Sequence, residues 1–173
     1  MGGKRVLILS IAGLVVVLDQ LSKILGTTFL TFGKQVVIID NVFSFNIRYN
    51  PGGTWSFATG VPVLLCLFAI VVVFVILRKT KTTTNLWWAW ALGVLLGGTL
   101  GNLLDRVLRG PNFMQGRVVD FIQVFNGNVF NVADVAIVLS IVTIIVLILC
   151  KVPMTKQSST KQGEKNKMVP DHN

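Results

Sequence analysis

The chain has 173 residues, 53% of them apolar and only 13% charged, with a mean hydropathy of +0.72. Soluble domains carry about 25% charged residues, so there is too little polar side chain to coat a globule of this size, and an integral membrane protein is expected. The formal charge of +9 comes from 16 Lys+Arg against 7 Asp+Glu. The basic residues are split among short segments without interleaved aromatics, which argues against nucleic acid as a partner.

Four apolar stretches approach the ~20 residues that a helix needs to cross a bilayer. They run from Val6 to about Leu25, Val61 to Leu77, Leu86 to Leu104 and Val132 to Cys150. The first follows Lys4-Arg5, as a secretory signal does. Its core, however, runs into Asp19-Gln20 with no small-x-small cleavage site, so it reads as a retained helix. With the N-terminus inside, Lys4, Arg5, Arg78, Lys79, Lys81, Lys151, Lys156, Lys161, Lys165 and Lys167 fall on inner segments. Only Lys34, Arg48, Arg106, Arg109 and Arg117 fall on outer ones. That bias predicts two cytoplasmic termini. Residues 1–152 read as a single four-helix domain. Residues 153–173 read as a disordered cytoplasmic tail that can touch anionic lipid.

The first outer loop carries Lys34 to Ile39 and Val42 to Tyr49 around Asp40-Asn41, a turn signal. Phe43, Phe45, Ile47 and Tyr49 alternate with Ser44, Asn46 and Arg48, the period of a strand with one apolar face. Asn50-Pro51-Gly52-Gly53 then turns the chain back. The fold class is therefore an α-helical integral membrane protein with four transmembrane helices and a small extracytoplasmic β element in this loop. Phe43, Phe45 and Trp55 make that element either a cradle or lid for a site or a set of interfacial anchors. In the loop from Arg106 to Asn131, Arg109-Gly110-Pro111-Asn112 reads as a turn and Val118 to Phe125 as a short apolar piece.

Cys66 and Cys150 belong at different depths, which excludes a disulfide and suggests buried packing thiols. The only histidine is His172, near the end of the tail. This removes zinc peptidases that need a His pair and Ser-His or Cys-His nucleophiles. Ser22 and Lys23 are adjacent on a helix and do not face each other. No Gly-rich phosphate loop is present, and neither a metal nor another cofactor is expected. Carboxylates remain. At 1.5 Å per residue, Asp19 lies ~20 Å beyond Val6, Asp105 ~28 Å along the third span and Asp134 ~24 Å back from Cys150. Three helices thus deliver an aspartate to one layer, with Asp120 in the loop just outside. Ionisable groups in hydrocarbon are costly and rarely persist without a partner or a task. Asp19 has Lys23 at i+4 and reads as an ion pair. Asn102-x-x-Asp105 and Asn131-x-x-Asp134 repeat one pattern, in which the amide can hold the carboxylate on the same helix face. On that pattern alone, Asp105 pairs with Asp134.

Taken together, four blocks resemble the lipoprotein signal peptidase family (signal peptidase II), integral membrane aspartyl peptidases of bacteria. They are Asp19-Gln20-Leu21-Ser22-Lys23, Gly97 to Arg106, Val118-Val119-Asp120-Phe121-Ile122 and Phe130-Asn131-Val132-Ala133-Asp134. The resemblance covers nearly the whole chain apart from the tail. It implies a catalytic dyad of Asp120 and Asp134, supported by Asp19, Lys23, Asn50, Gly52, Asn102, Asp105, Arg106 and Asn131. It also implies a monomer in the bacterial inner membrane that acts near the outer face on prolipoproteins, N-terminal to a lipid-modified cysteine. Two features depart from the family: its Asn-x-Gly-Ala-Ala-Phe block reads Asn50-Pro51-Gly52-Gly53-Thr54-Trp55 here, and the interval from Asp120 to Asp134 is short. A non-enzymatic membrane scaffold and a proton-coupled transporter are the alternatives that the residues alone leave open.

Overall fold

The computed structural model describes residues 3–52, 61–110 and 112–155. The expectations that rest on Gly53, Thr54 and Trp55, and those on the tail from Lys156 onward, lie outside the described residues. In chain order the elements are α1 (Gly3–Phe29), β1 (Val36–Ile39), β2 (Phe43–Asn50), α2 (Val61–Lys79), α3 (Leu86–Leu108), β3 (Val118–Val124), β4 (Val129–Phe130) and α4 (Val132–Leu149). The four helices are long and apolar enough to cross a membrane. Helix α1 outruns the expected end near Leu25 because its polar last turn satisfies itself. Thr27 and Thr28 donate their hydroxyls to the carbonyls of Lys23 and Ile24, at 3.0 and 2.8 Å. Helix α3 likewise continues past Leu104, so Asp105 and Arg106 lie inside it.

Helix α3 is the spine of the bundle and packs against each of the other three. Of its most apolar window 56% is buried, against 11–22% for the others, whose outward faces are free for lipid. Small residues make this possible. A Cβ at Gly97 would lie 2.6 Å from Val15 Cβ and 2.8 Å from the Ala12 carbonyl. One at Gly98 would lie 2.7 Å from the Ala133 carbonyl on α4. Glycine therefore lets α1 and α4 approach α3 from two sides. Towards the termini the interface is sealed by Ile8, Ala12, Ile76, Ala89, Leu92 and Leu96.

At that end, the segment after α4 folds back over the start of α3. The Asn85 side chain caps α3 by accepting from the Trp87 and Trp88 amides at 2.9 and 3.4 Å. The Met154 carbonyl accepts from the amides of Thr84 and Asn85, at 3.0 and 3.3 Å. The Trp88 indole donates to the Val152 carbonyl at 2.9 Å.

At the opposite end, the two longer connections form one antiparallel sheet of order β1-β2-β3-β4. The β element expected in the first loop is thus half of a sheet, and the apolar piece of the second loop supplies β3. The Asp40-Asn41 turn forms, with Asn41 at φ 58°. The expectation of one apolar and one solvent-facing side of β2 needs correction. The register shifts between Phe45 and Arg48, and Ser44 and Asn46 are buried. They tolerate burial because the Asn46 amide donates to Gln123 Oε1 at 3.1 Å and Gln35 donates to Ser44 Oγ at 2.7 Å. Phe45 stacks on Phe121, with ring centroids 6.4 Å apart, and Phe121 rests where Gly26 of α1 has no side chain. The short interval between β3 and α4 closes through a tight turn. Phe125 and Asn126 both take positive φ, and the Gly127 amide bonds the Val124 carbonyl at 3.0 Å. Both cysteines are free. Cys66 is buried, but Cys150 is exposed, not buried as expected, because it sits at the C-cap of α4 beyond the packed helix.

Candidate active site

The end of the bundle beneath the sheet gathers the dyad and the eight supporting residues that the resemblance implies. Asp19 and Lys23 are one turn apart on α1. The fully buried Lys23 ammonium lies 2.8 Å from Asp19 Oδ2 and 2.8 Å from Asp105 Oδ2. It also donates to Asn102 Oδ1 at 3.1 Å. Two of its donors thus make hydrogen bonds, to Asp19 and Asn102, and Asp105 adds a second ion pair. This offsets the several kcal/mol that its desolvation costs.

The two carboxylates that flank Lys23 each hold backbone as well. Asp19 Oδ1 accepts from the Ala133 amide at 2.9 Å. Asp105 Oδ2 accepts from the Val119 amide at 3.2 Å, and Arg109 pairs with Asp105 Oδ1 at 2.9 Å. Asp105 is therefore committed to two cations, and the pairing with Asp134 suggested by the repeated Asn-x-x-Asp pattern does not form. The pattern misleads because its amides cross to the next element. The Asn102 amide donates to Asp134 Oδ1 on α4 at 2.7 Å, and the Asn131 amide donates to Asp120 Oδ1 on β3 at 2.6 Å. Asn131 binds Asp134 through a capping box instead. Its Oδ1 accepts from the Asp134 backbone amide at 2.9 Å, and its own backbone N–H donates to Asp134 Oδ2 at 3.2 Å.

Asp120 is only 2% exposed and sits opposite Arg48 in the β2–β3 register. The Asn50 amide donates to its Oδ2 at 3.0 Å. Asn50 is aimed by Gly52, whose amide donates to Asn50 Oδ1 at 2.9 Å. The φ of 126° at Gly52 favours glycine. Burial pushes the Asp120 carboxyl up to about 6, the Asp134 charge adds to the rise, and the amides of Asn50 and Asn131 and the Lys23 charge oppose it. Asp134 is half-buried. Arg106 reaches the Pro51 carbonyl at 3.5 Å and lies within electrostatic reach of Asp120, Asp134 and Asp105. Four carboxylates (Asp19, Asp105, Asp120 and Asp134) thus meet three cations (Lys23, Arg106 and Arg109). A single proton on the group makes it neutral.

Two members were missed in the sequence. Gln20 donates to Asp19 Oδ2, Asp105 Oδ1 and the Gly101 carbonyl, each at 3.1 Å. Its polarity inside an apolar span was the available signal. Arg109 was read as part of a turn, although its i+4 spacing from Asp105 is that of a helical ion pair. An apolar groove of about 320 Å³ between α2, α3 and α4 leads to the cluster, with Leu65, Phe68, Val72 and Ile141 among its walls and Asn102 and Arg106 in its lining.

Residues 11–150 match the family model described as Signal peptidase (SPase) II. A lipoprotein signal peptidase of Rhodococcus jostii (strain RHA1) is 44% identical over 146 residues, which is 84% of this chain and 74% of that protein. One from Mycobacterium leprae (strain Br4923) is 41% identical over 141 residues, covering 82% of this chain and 70% of the relative. A solved bacterial membrane enzyme superposes with a TM-score of 0.73 at 26% identity, over 88% of this chain and 93% of its own. A sequence match of this extent, on four spanning helices, places the chain in the signal peptidase II family of lipoprotein signal peptidases, multi-pass proteins of the bacterial membrane.

Proposed function

We propose that the protein removes signal peptides from lipid-modified prolipoproteins by an aspartyl dyad of Asp120 and Asp134. One observation carries the assignment: Asn131 holds both carboxylates, Asp120 through its side-chain amide and Asp134 through its backbone. Neither forms a salt bridge among the described residues, whereas Asp19 and Asp105 both do. Carboxylates held by amides keep access to both protonation states; those locked to cations do not.

Asp120, whose burial favours the neutral form, serves as the acid, and Asp134 serves as the base. Asp134 takes a proton from water as the oxygen attacks the scissile carbonyl, while Asp120 passes its proton to the carbonyl oxygen. The resulting diol collapses. Asp134 gives its proton to the departing amine, and Asp120 recovers one from a diol hydroxyl. No covalent intermediate forms.

The groove between α2, α3 and α4 offers the signal helix an apolar wall that ends at Asn102 and Arg106, of which Asn102 bonds Asp134. The positive-inside bias supports cytoplasmic termini and a site just under the outer headgroups, where the acyl chains of a prolipoprotein would hold the bond. Clustering of the acidic groups at one end of the bundle argues against a transport route, which needs polar groups near the midplane.

Separate Asp120→Asn, Asp134→Asn and Asp105→Asn variants test the dyad, with a lipidated precursor followed by gel mobility. The first two abolish processing while the protein stays inserted. Normal cleavage by Asp120→Asn, with loss in Asp105→Asn, overturns the assignment.

A further inference from the structure

Asp19 and Asp105 do the same thing to different elements. Asp19 holds the amide of Ala133, the residue just before Asp134, and Asp105 holds the amide of Val119, the residue just before Asp120. The two holding carboxylates are joined by one atom, Lys23 Nζ, at 2.8 Å from each. A continuous chain therefore runs from the backbone before one dyad aspartate, through carboxylate, ammonium and carboxylate, to the backbone before the other. Each link in it is a charge-assisted contact, and the two that meet at Lys23 are the shortest, at 2.8 Å.

The chain is also dry. Lys23, Asp19 and Asp105 are fully buried, so no solvent competes for the ammonium. Gly101 completes the seating, since a Cβ there would lie 2.5 Å from Asp19 Oδ2. The strand that carries Asp120 also packs on α1, where Phe121 rests against Gly26. The start of α4 meets the same layer through Asp19.

We infer that Lys23 is a positioning residue that fixes the separation of Asp120 and Asp134, acting as a yoke through Asp19 and Asp105 on the backbone immediately preceding each. The inference rests on the dyad reading for its catalytic consequence but not for its geometric one. Lys23 touches neither Asp120 nor Asp134, and it does not line the groove offered to the signal helix. Its removal therefore lowers kcat and leaves KM for a lipidated precursor peptide in place. A displacement of about 1 Å at a reacting group costs about 10²-fold in rate, which sets the size of the expected loss.

The test uses the full chain in lipid nanodiscs, with Lys23→Met and the charge-balanced double variant Lys23→Met/Asp19→Asn, which relieves one buried carboxylate and keeps the measurement possible where the single variant does not insert. Amide hydrogen exchange reads the yoke directly. The Val119 and Ala133 amides lose protection together in both variants, while Asp120→Asn leaves both protected. Steady-state kinetics of the double variant show kcat down about 10²-fold, with KM within twofold of the parent. Retained protection at Val119 and Ala133, or recovery of kcat in the double variant, overturns the yoke and leaves Lys23 as a charge balance only. A failed dyad shows itself separately, as an Asp120→Asn variant that still cuts.

Discussion

Asp120 combines near-complete burial with two amide donors, and the balance between them is open to measurement. Its carboxyl holds a proton to about pH 6, well above the ordinary aspartate range. The proton is thus bound more tightly in the folded chain. Its stabilising contribution is complete below the unfolded value and is lost as pH rises through the folded one. Infrared titration is expected to show a protonated carboxyl signal that fades near pH 6 and is missing from Asp120→Asn. If Asp120 is the acid, the alkaline limb of kcat/KM follows the same ionisation. Asn50→Ala removes a donor that favours the ionised form, so the limb should move to higher pH. A shift in the opposite direction would mean that Asn50 stabilises the neutral acid.

Among the elements, the contact of α1 with α3 depends on what is absent from Gly97. Gly97→Ala drives a methyl into Val15 and the Ala12 carbonyl, and overpacking of this kind costs about 1–3 kcal/mol. Gly13 is a matched control on the same helix pair, because nothing lies within 4 Å of a Cβ there. Gly13→Ala is expected to be neutral or stabilising by up to about 1 kcal/mol, the difference in helix propensity. Thermal melts of the two variants in one detergent provide the comparison. Equal behaviour would show that the helices can part without penalty. Helix α4 begins on Asn131, which is at once its cap and the holder of Asp120. Asn131→Ala should therefore cost the helix about 0.5–2 kcal/mol and cleavage far more than that loss explains.

For the molecule as a whole, hydropathy made the four spans legible, because lipid imposes length and composition on any helix that crosses it. The layer of aspartates could also be read, since rise per residue converts sequence position into depth. What escaped was lateral. Rise per residue does not say that Asn102 turns to α4 instead of to Asp105, or that Arg109 reaches back one turn. Nor does strand periodicity in one loop announce that its partner, β3, lies some seventy residues further on. Such facts belong to pairings between elements, and those are set by packing. The positive-inside bias is a claim about the entire chain and can be checked with thiols. An impermeant reagent added to intact cells should label Lys34→Cys, which is exposed beside the sheet, and leave the exposed Cys150 at the other end untouched. Labelling of Cys150 would invert the topology.

The return of Val152 and Met154 to the head of α3 bears on how the protein is made. Trp88 and Val152 are 64 positions apart, so the third span leaves the ribosome long before the carbonyls that finish its first turn exist. Until translation passes Met154, the Thr84 and Asn85 amides lack that acceptor and the Trp88 indole lacks its own. A nascent chain arrested just after α4 should accordingly be open to protease at the α2–α3 connection, and release of a few more residues should close it. Reporter fusions joined upstream of Val152 would carry the same defect into the mature protein.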